Sequence, residues 1–416
     1  MSLGSGIRVM VDSPCRLHML CIGGEDHHLR IPFLRALAAE GFRVTAAASG
    51  DPAPFLHADI AYRHFEFGRF IGPLSDRNAL RELRVLLAQE NPDLVQTFDT
   101  KPNLLVPLAV RGMTGVPVVR TINGLGWVYS SRSPTALGLR PVQRVLHRLA
   151  ARTTTATVFQ NRDDMDFFRR HGMLGRSLAR LIPGSGIDIG RFAAAAASAG
   201  PATTLRMTLG LGTDEVVLTV TRLTRQKGIP TLLKAAALVH SVRPGVRFLL
   251  VGPRESEGPL AVSQAEIDRH APYVMAIGQR SDVPALLGIA DAFAFPTEYR
   301  EGVPRALLEA GLAALPIVAT RMPGCNDVIR DGWSGYLVPP RRPRVLAARI
   351  LALLACREAA RTMGQRAKER VMEEFGLDLT VARYCDLYAQ VLGVRAREPR
   401  AGWRSQAPAR EAEFGT

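Results

Sequence analysis

The sequence predicts an α/β protein with two doubly wound, Rossmann-like parallel-sheet domains in tandem, facing each other across a cleft. Three observations predict it. Short apolar runs alternate with helical stretches along the whole chain, the pattern of βα units. The length of 416 residues exceeds one ordinary domain of about 100–200 residues. The alternation lapses once, over Phe192–Thr213, which is rich in Ala, Gly and Thr and contains Pro201.

The strands predicted for the first half are Arg16–Ile22, Arg43–Ala48, Ala58–Phe65, Asp93–Phe98, Pro117–Thr121, Thr157–Gln160 and Leu178–Ile182. Helical patterns fall between them at His28–Glu40, Asp76–Gln89, Pro102–Met113 and Pro141–Arg152. The second half predicts strands at Val216–Thr221, Val246–Val251, Tyr273–Ile277, Ala292–Phe295 and Ile317–Thr320. The expected organisation is an acceptor-binding domain over 1–195, a linker over 196–213 and a donor-binding domain over 214–376. A terminal helix at 377–396 is free to pack back on the first domain. Residues 397–416, rich in Arg, Pro, Gly, Ala and Glu, read as a disordered tail.

At 47% apolar and 22% charged, the chain is an ordinary globular protein. Its five cysteines (Cys15, Cys21, Cys325, Cys356, Cys385) are scattered without a CxxC pair, which excludes a disulfide scaffold and implies a reducing compartment. The longest apolar run, Val345–Cys356, is broken by Arg349 and falls short of the roughly 18 residues of a membrane span. Asp12, Pro14 and Arg16 interrupt any signal-peptide core. The expected location is therefore cytoplasmic, with room for a peripheral place on the inner face of the cell membrane.

Lys+Arg number 53 against 38 Asp+Glu, a net charge of +15, and only four of the cations are lysines (Lys101, Lys227, Lys234, Lys368). Such an excess suits an anionic partner: nucleic acid, a membrane surface or a phosphorylated substrate. The charge divides evenly, +8 over residues 1–200 and +7 over 201–416, and no nucleic-acid motif occurs. A basic nucleic-acid-binding protein is accordingly the non-enzymatic alternative, and no nucleic-acid partner is expected.

Chemistry concentrates in two stretches. In Phe295–Gly311 an apolar strand ends in a polar loop, Pro304 suits a first helical position, Glu301 precedes the helix and Glu309 lies inside it. The amides of Gly302 and Val303 then sit at a helix N-terminus, suited to a phosphate, and the two acids can accept from sugar hydroxyls. Equally, Glu301 can serve the helix dipole and Glu309 a solvated face. In the second stretch a strand ends at Arg222, and a loop carries Arg225, Lys227 and Gly228 before Pro230. These cations suit a diphosphate leaving group, or they are exposed loop residues. No P-loop pattern is present.

Together, Thr221-Arg222-Leu223…Lys227-Gly228 and Glu301…Glu309-Ala310 leading to Pro316-Ile-Val-Ala-Thr resemble the GT-B retaining glycosyltransferases of the family-4 (group 1) type. The Gly324 loop and Asp331-Gly-Trp-Ser-Gly-Tyr-Leu-Val-Pro match that family's closing segment. The resemblance spans roughly residues 16–390, and within the family it is to enzymes of bacterial surface polysaccharides, the capsule, exopolysaccharide and O-antigen type. It implies that Arg222 and Lys227 hold the donor diphosphate and that Glu301 meets the donor sugar, beside Gly302 and Val303. It also implies that Glu309 binds ribose and that the Gly278–Arg280 turn seats the base. Thr221 replaces the family's usual glycine, and Ala314 another.

Thr100-Lys-Pro-Asn103, Arg120–Trp127, Phe159-Gln-Asn-Arg and Pro183–Asp188 echo the same subgroup. Asn123 stands where many members have histidine; it and Gly124 are candidate acceptor or sugar contacts, or simply an Asn-Gly turn. Gly23 and Gly24 form a second candidate loop, while His27 and His28 read as solvated residues opening a helix. On Pro141–Arg152, Val142, Val145, Leu146 and Leu149 share a face expected to pack on the sheet. Arg140, Arg144, Arg148 and Arg152 are left to meet lipid.

The reaction implied is retaining, metal-independent transfer of a sugar, a hexose or N-acetylhexosamine, from a nucleoside-diphosphate (UDP) donor to a lipid-linked or saccharide acceptor. No metal and no cofactor is called for, the nucleotide sugar being a substrate. The alternative enzyme is a UDP-sugar 2-epimerase on a related scaffold.

Overall fold

A computed structural model describes residues 16–66, 73–113, 115–131 and 133–393. The expected tail at 397–416 lies outside these residues, as do residues 1–15 with Cys15.

The chain forms two wholly parallel sheets. The first contains β1 (His18–Ile22), β2 (Arg43–Ala48), β3 (Ala61–His64), β4 (Leu94–Phe98), β5 (Val118–Ile122), β6 (Ala156–Phe159) and β7 (Leu178–Leu181), in the order β3-β2-β1-β4-β5-β6-β7. The second contains β8 (Glu215–Val220), β9 (Val246–Val251), β10 (Val274–Ala276), β11 (Ala292–Phe295), β12 (Ile317–Thr320) and β13 (Tyr336–Val338), in the order β10-β9-β8-β11-β12-β13. Every residue of β1, β4, β5, β11 and β12 is buried, because helices cover both faces of each sheet. In each sheet the winding reverses once, between β1 and β4 and between β8 and β11. These reversals open crevices at the carboxyl ends of the strands, where doubly wound sheets bind ligands.

The structure moves several predicted bounds. The expected strand Ala58–Phe65 shortens to β3, and β13, three residues at a sheet edge, was too short to show a pattern. The helix expected from Pro141 begins at Pro134 and runs to Ala151, because Ser133 caps it by accepting from the Ala136 amide; Pro141 lies in its interior. The helix expected from Pro102 spans Thr100–Ala109, with Pro107 inside. The connecting segment carries two short helices, Ile189–Ala197 and Ala202–Thr208, the first capped by Asp188.

The chain passes between the sheets twice, and the two passages lie side by side: Ile187 N donates to Phe375 O at 2.9 Å and Leu377 N to Ile187 O at 3.0 Å. A Cβ on Gly186, at φ +75°, would press on Leu377 Cα, so glycine is required for this approach. The last helix, Leu377–Leu392, then packs on the first sheet. Val381, Tyr384, Cys385, Leu387 and Tyr388 join the cluster formed by Met19, Phe33, Phe42 and Phe98. Its two tyrosines reach polar groups in strands, Tyr384 Oη with Thr121 Oγ1 and Tyr388 Oη to Gln96 Oε1, each at 2.9 Å. No helix among the described residues is long and apolar enough to cross a membrane.

Candidate active site

The site forms where the two reversals face each other. On the carboxyl side β8 runs into Arg222, and Thr224 caps the short helical turn Arg225–Lys227 by accepting from the Lys227 amide. Gly228 follows in the left-handed region, and a Cβ there would overlap the Pro296 carbonyl, so only glycine lets the turn lie against the loop after β11. That closeness delivers Lys227 to Glu301: Nζ lies 2.7 Å from Oε1, with the side chains 9% and 16% exposed. Thr297 Oγ1 donates to the same carboxylate oxygen at 3.0 Å, and the ammonium sits 5.2 Å from the Tyr299 ring centroid. Burial pushes the Tyr299 hydroxyl above its ordinary range, while the charge of Arg222, within electrostatic reach, pulls it down. Arg222 itself pairs with Glu257 at 3.0 Å. The sequence-predicted Arg222, Lys227 and Glu301 therefore converge around Tyr299.

Other predicted residues stand apart. Glu309 is not a solvated face residue; it pairs with Arg305 one turn earlier, at 2.8 Å. Arg280 forms a two-pronged pair with Asp282 at 2.8 and 2.6 Å, beyond Gly278 at the end of β10. Pro304 is the residue before the helix rather than its first member, and the helix starts at Arg305. The Val303 amide, expected to be open to a phosphate, donates to Gln160 Oε1 at 3.3 Å.

The amino side holds this loop in place. Asn161 Nδ2 donates to Glu301 O at 3.0 Å, the Arg300 amide donates to Ser130 Oγ at 2.8 Å, and the Arg300 guanidinium meets Asp164 at 2.8 Å. Asp164 is wholly buried, and burial pushes its carboxyl up against the pull of Arg300. Gly124, at φ +109°, lies so close that a Cβ would stand 2.7 Å from Arg300 O and 2.8 Å from the Gly302 nitrogen. Gln160 and Asn161 carried a signal in the sequence, the Phe159-Gln-Asn-Arg echo; Asp164 carried none.

At the first reversal the organising residue is Asp99, immediately after β4, which sequence reasoning missed. Its backbone adopts φ +67°, ψ 165°, unusual for a residue with a side chain. One carboxylate oxygen accepts from the Gly24 amide at 2.9 Å and the other from Asn123 Nδ2 at 3.1 Å. Gly23 packs on His27, which is buried at 1% exposure between Phe55 and Phe98 rather than solvated. Burial and the charge of Arg30 lower the His27 pKa to about 3.

The helix Pro134–Ala151 inverts its expected faces. Val142 and Val145 are half exposed with Leu137, whereas the buried positions include Gln143 and His147. The arginines on it are not left for lipid alone. Arg140 donates to Val128 O and Ser131 O, and Arg148 donates through two nitrogens to His171 O. The reason is local: each guanidinium reaches carbonyls at the end of a neighbouring short helix.

Comparison with known proteins agrees with this geometry. Residues 33–185 match the glycosyl transferase 4-like domain, and residues 203–370 match glycosyl transferases group 1. A UDP-Gal:α-D-GlcNAc-diphosphoundecaprenol α-1,3-galactosyltransferase of Escherichia coli is 26% identical over 330 residues, covering 78% of this chain and 82% of that protein. An N,N′-diacetylbacillosaminyl-diphospho-undecaprenol α-1,3-N-acetylgalactosaminyltransferase of Campylobacter jejuni is 24% identical over 373 residues, covering 89% and 97%. Among solved structures, Anabaena HepE in complex with UDP has the same fold, with a TM-score of 0.74 at 20% identity over 90% of this chain and 100% of that one. The two matched domains account for most of the sequence, in the family's order and on its GT-B architecture, and the chain belongs to the group 1 glycosyltransferases.

Proposed function

We propose that this glycosyltransferase moves a hexose or N-acetylhexosamine from a UDP donor to a saccharide carried on undecaprenyl diphosphate, with retention at the anomeric carbon, in the building of a bacterial surface polysaccharide. The carrying observation is the largely buried Lys227–Glu301 pair across the β8/β11 crevice. A donor diphosphate suits Lys227 and Arg222, and its arrival would free Glu301 for the hydroxyls of the transferred sugar. Glu309 would take the ribose, Gly278 and Arg280 the base, and the Gly302 and Val303 amides the neighbourhood of the phosphates once Gln160 lets go. The acceptor hydroxyl attacks from the face the diphosphate leaves. The anomeric C–O bond to phosphate breaks, the bond to the acceptor oxygen forms, and the acceptor proton passes to a phosphate oxygen of the leaving UDP. The protein's part is positioning and charge stabilisation.

The undecaprenyl-linked relatives support the acceptor class. Half-exposed Leu137, Val142 and Val145 support a membrane-facing approach along the Pro134–Ala151 helix. A panel of UDP- and GDP-sugars read by thermal midpoint tests the donor, and transfer to a lipid-linked saccharide tests the reaction. A rise with UDP-sugars and loss of transfer in Lys227→Ala are expected. Parent-like turnover in that variant, or no shift with any nucleotide sugar, would overturn the proposal.

A further inference from the structure

Beside the reacting centre lies a cavity of about 150 Å³, walled by the ends of β4 and β5, by the Pro134–Ala151 helix and by Tyr299 from the opposing half. By volume it accommodates roughly ten water molecules, or one pyranose ring. Its lining includes Asp99, Asn123, Tyr129, Gln143, His147 and Tyr299, and no lysine or arginine. Gln143 and His147 are each only 5% exposed. Asn123 Oδ1, Gln143 Oε1 and His147 Nδ1 are buried without a hydrogen-bond partner among the described residues. Unmet polar atoms of this kind are costly, and three around one cavity point to a ligand that completes them.

The chemistry of that ligand follows from the lining. With no cation lining it, the cavity does not suit a phosphate. Asp99 is already engaged by Gly24 and Asn123. The unmet groups are neutral, and the two tyrosines add aromatic faces. Neutral hydrogen-bonding groups beside aromatic rings suit sugar hydroxyls, which both donate and accept, and the C–H face of the ring. The His147 imidazole is held neutral, since burial and then the charge of Arg120 lower its pKa to about 3. Tyr299 stands two residues before Glu301, and Gly124 abuts Arg300, so a ring seated here borders the transfer site.

We infer that this cavity is the seat of the terminal sugar of the acceptor, with Gln143, His147 and Asn123 setting which sugar is accepted. The inference rests on the proposed glycosyl transfer. The test uses the full-length protein and its Gln143→Met and Tyr129→Phe variants, both close in shape to the parent. Saturation-transfer NMR reads binding of methyl glycosides of glucose, galactose, N-acetylglucosamine and N-acetylgalactosamine, with and without UDP. In the same samples UDP binding is read by thermal midpoint. At least one glycoside is expected to bind the parent, with affinity lowered about five- to tenfold in Gln143→Met, the scale of one neutral hydrogen bond, while the UDP response is kept. A parent that responds to UDP but binds no glycoside, or variants that bind it as the parent does, would overturn the assignment. Loss of the UDP response from the parent would instead overturn the proposed transfer, and glycoside binding in the absence of UDP would still decide the cavity.

Discussion

After the fourth strand of the amino sheet, Asp99 accepts from a glycine amide and a carboxamide; after the corresponding strand of the carboxyl sheet, Glu301 meets a lysine ammonium. Both carboxylates bridge the reversal of a sheet, so the halves share one plan. They differ in what surrounds it. The carboxyl side presents opposite charges already paired, which a diphosphate can exchange into. The amino side presents neutral groups with unmet hydrogen bonds, which hydroxyls can complete. Charge recognises the leaving group on one side, and hydrogen-bond geometry recognises sugar on the other.

The sharpest way to break this contrast is Lys227→Ala, expected to lower turnover by about 10²–10³ with a stable fold, as losing one preorganised charge donor does. Steady-state kinetics checks it, and an unchanged kcat would remove the lysine from the charged side. The amino side is expected to be the acid-sensitive one. His27 and His147 have folded pKa values lowered to about 3, whereas the unfolded chain protonates near 6.5. Their contribution is thus full above about pH 6.5 and lost as pH falls toward 3. At pH 5 the loss is about 2 kcal/mol for each histidine, and calorimetry from pH 7 to 5 should show a falling midpoint. A flat midpoint contradicts the buried, neutral state of both rings.

Gly124→Ala tests the contact that joins the sides. Strain of about 1–2 kcal/mol at the left-handed backbone, together with the Arg300 carbonyl in the way, should reduce turnover roughly tenfold while circular dichroism stays unchanged. The smallest expected effect is that of Asn161→Ala. It removes the cap of the Arg162–Arg170 helix and the donor to Glu301 O, for about 1 kcal/mol of stability. Chemical denaturation would show it, and an unaltered midpoint would mean that the loop is held by Asp164 and Ser130 alone.

The charged side was legible in the sequence because its residues lie on short strand-to-helix loops with a fixed spacing, Arg222 to Lys227 and Glu301 to Glu309. The alternation of apolar runs likewise carried both sheets and all their strands but the short β13. The neutral side was not legible. The unusual backbone of Asp99 is imposed by its contacts, and nothing local announces it. Gln143 and His147 look like the solvated positions of an amphipathic helix whose valines should face inward. Their burial follows from the cavity beneath them, which no periodicity encodes. His27 misled for the same reason: Phe55 and Phe98, distant in sequence, close over it.

The return of Leu377–Leu392 onto the first sheet has a consequence for biosynthesis. The amino half emerges first from the ribosome, yet the side chains that close its core, Tyr384 and Tyr388 among them, are among the last to be made. Completion of the first half therefore waits on nearly the whole chain, and a nascent chain stopped before residue 377 leaves Phe33 and Phe42 uncovered. Each half is topologically its own unit, but the protein matures as one.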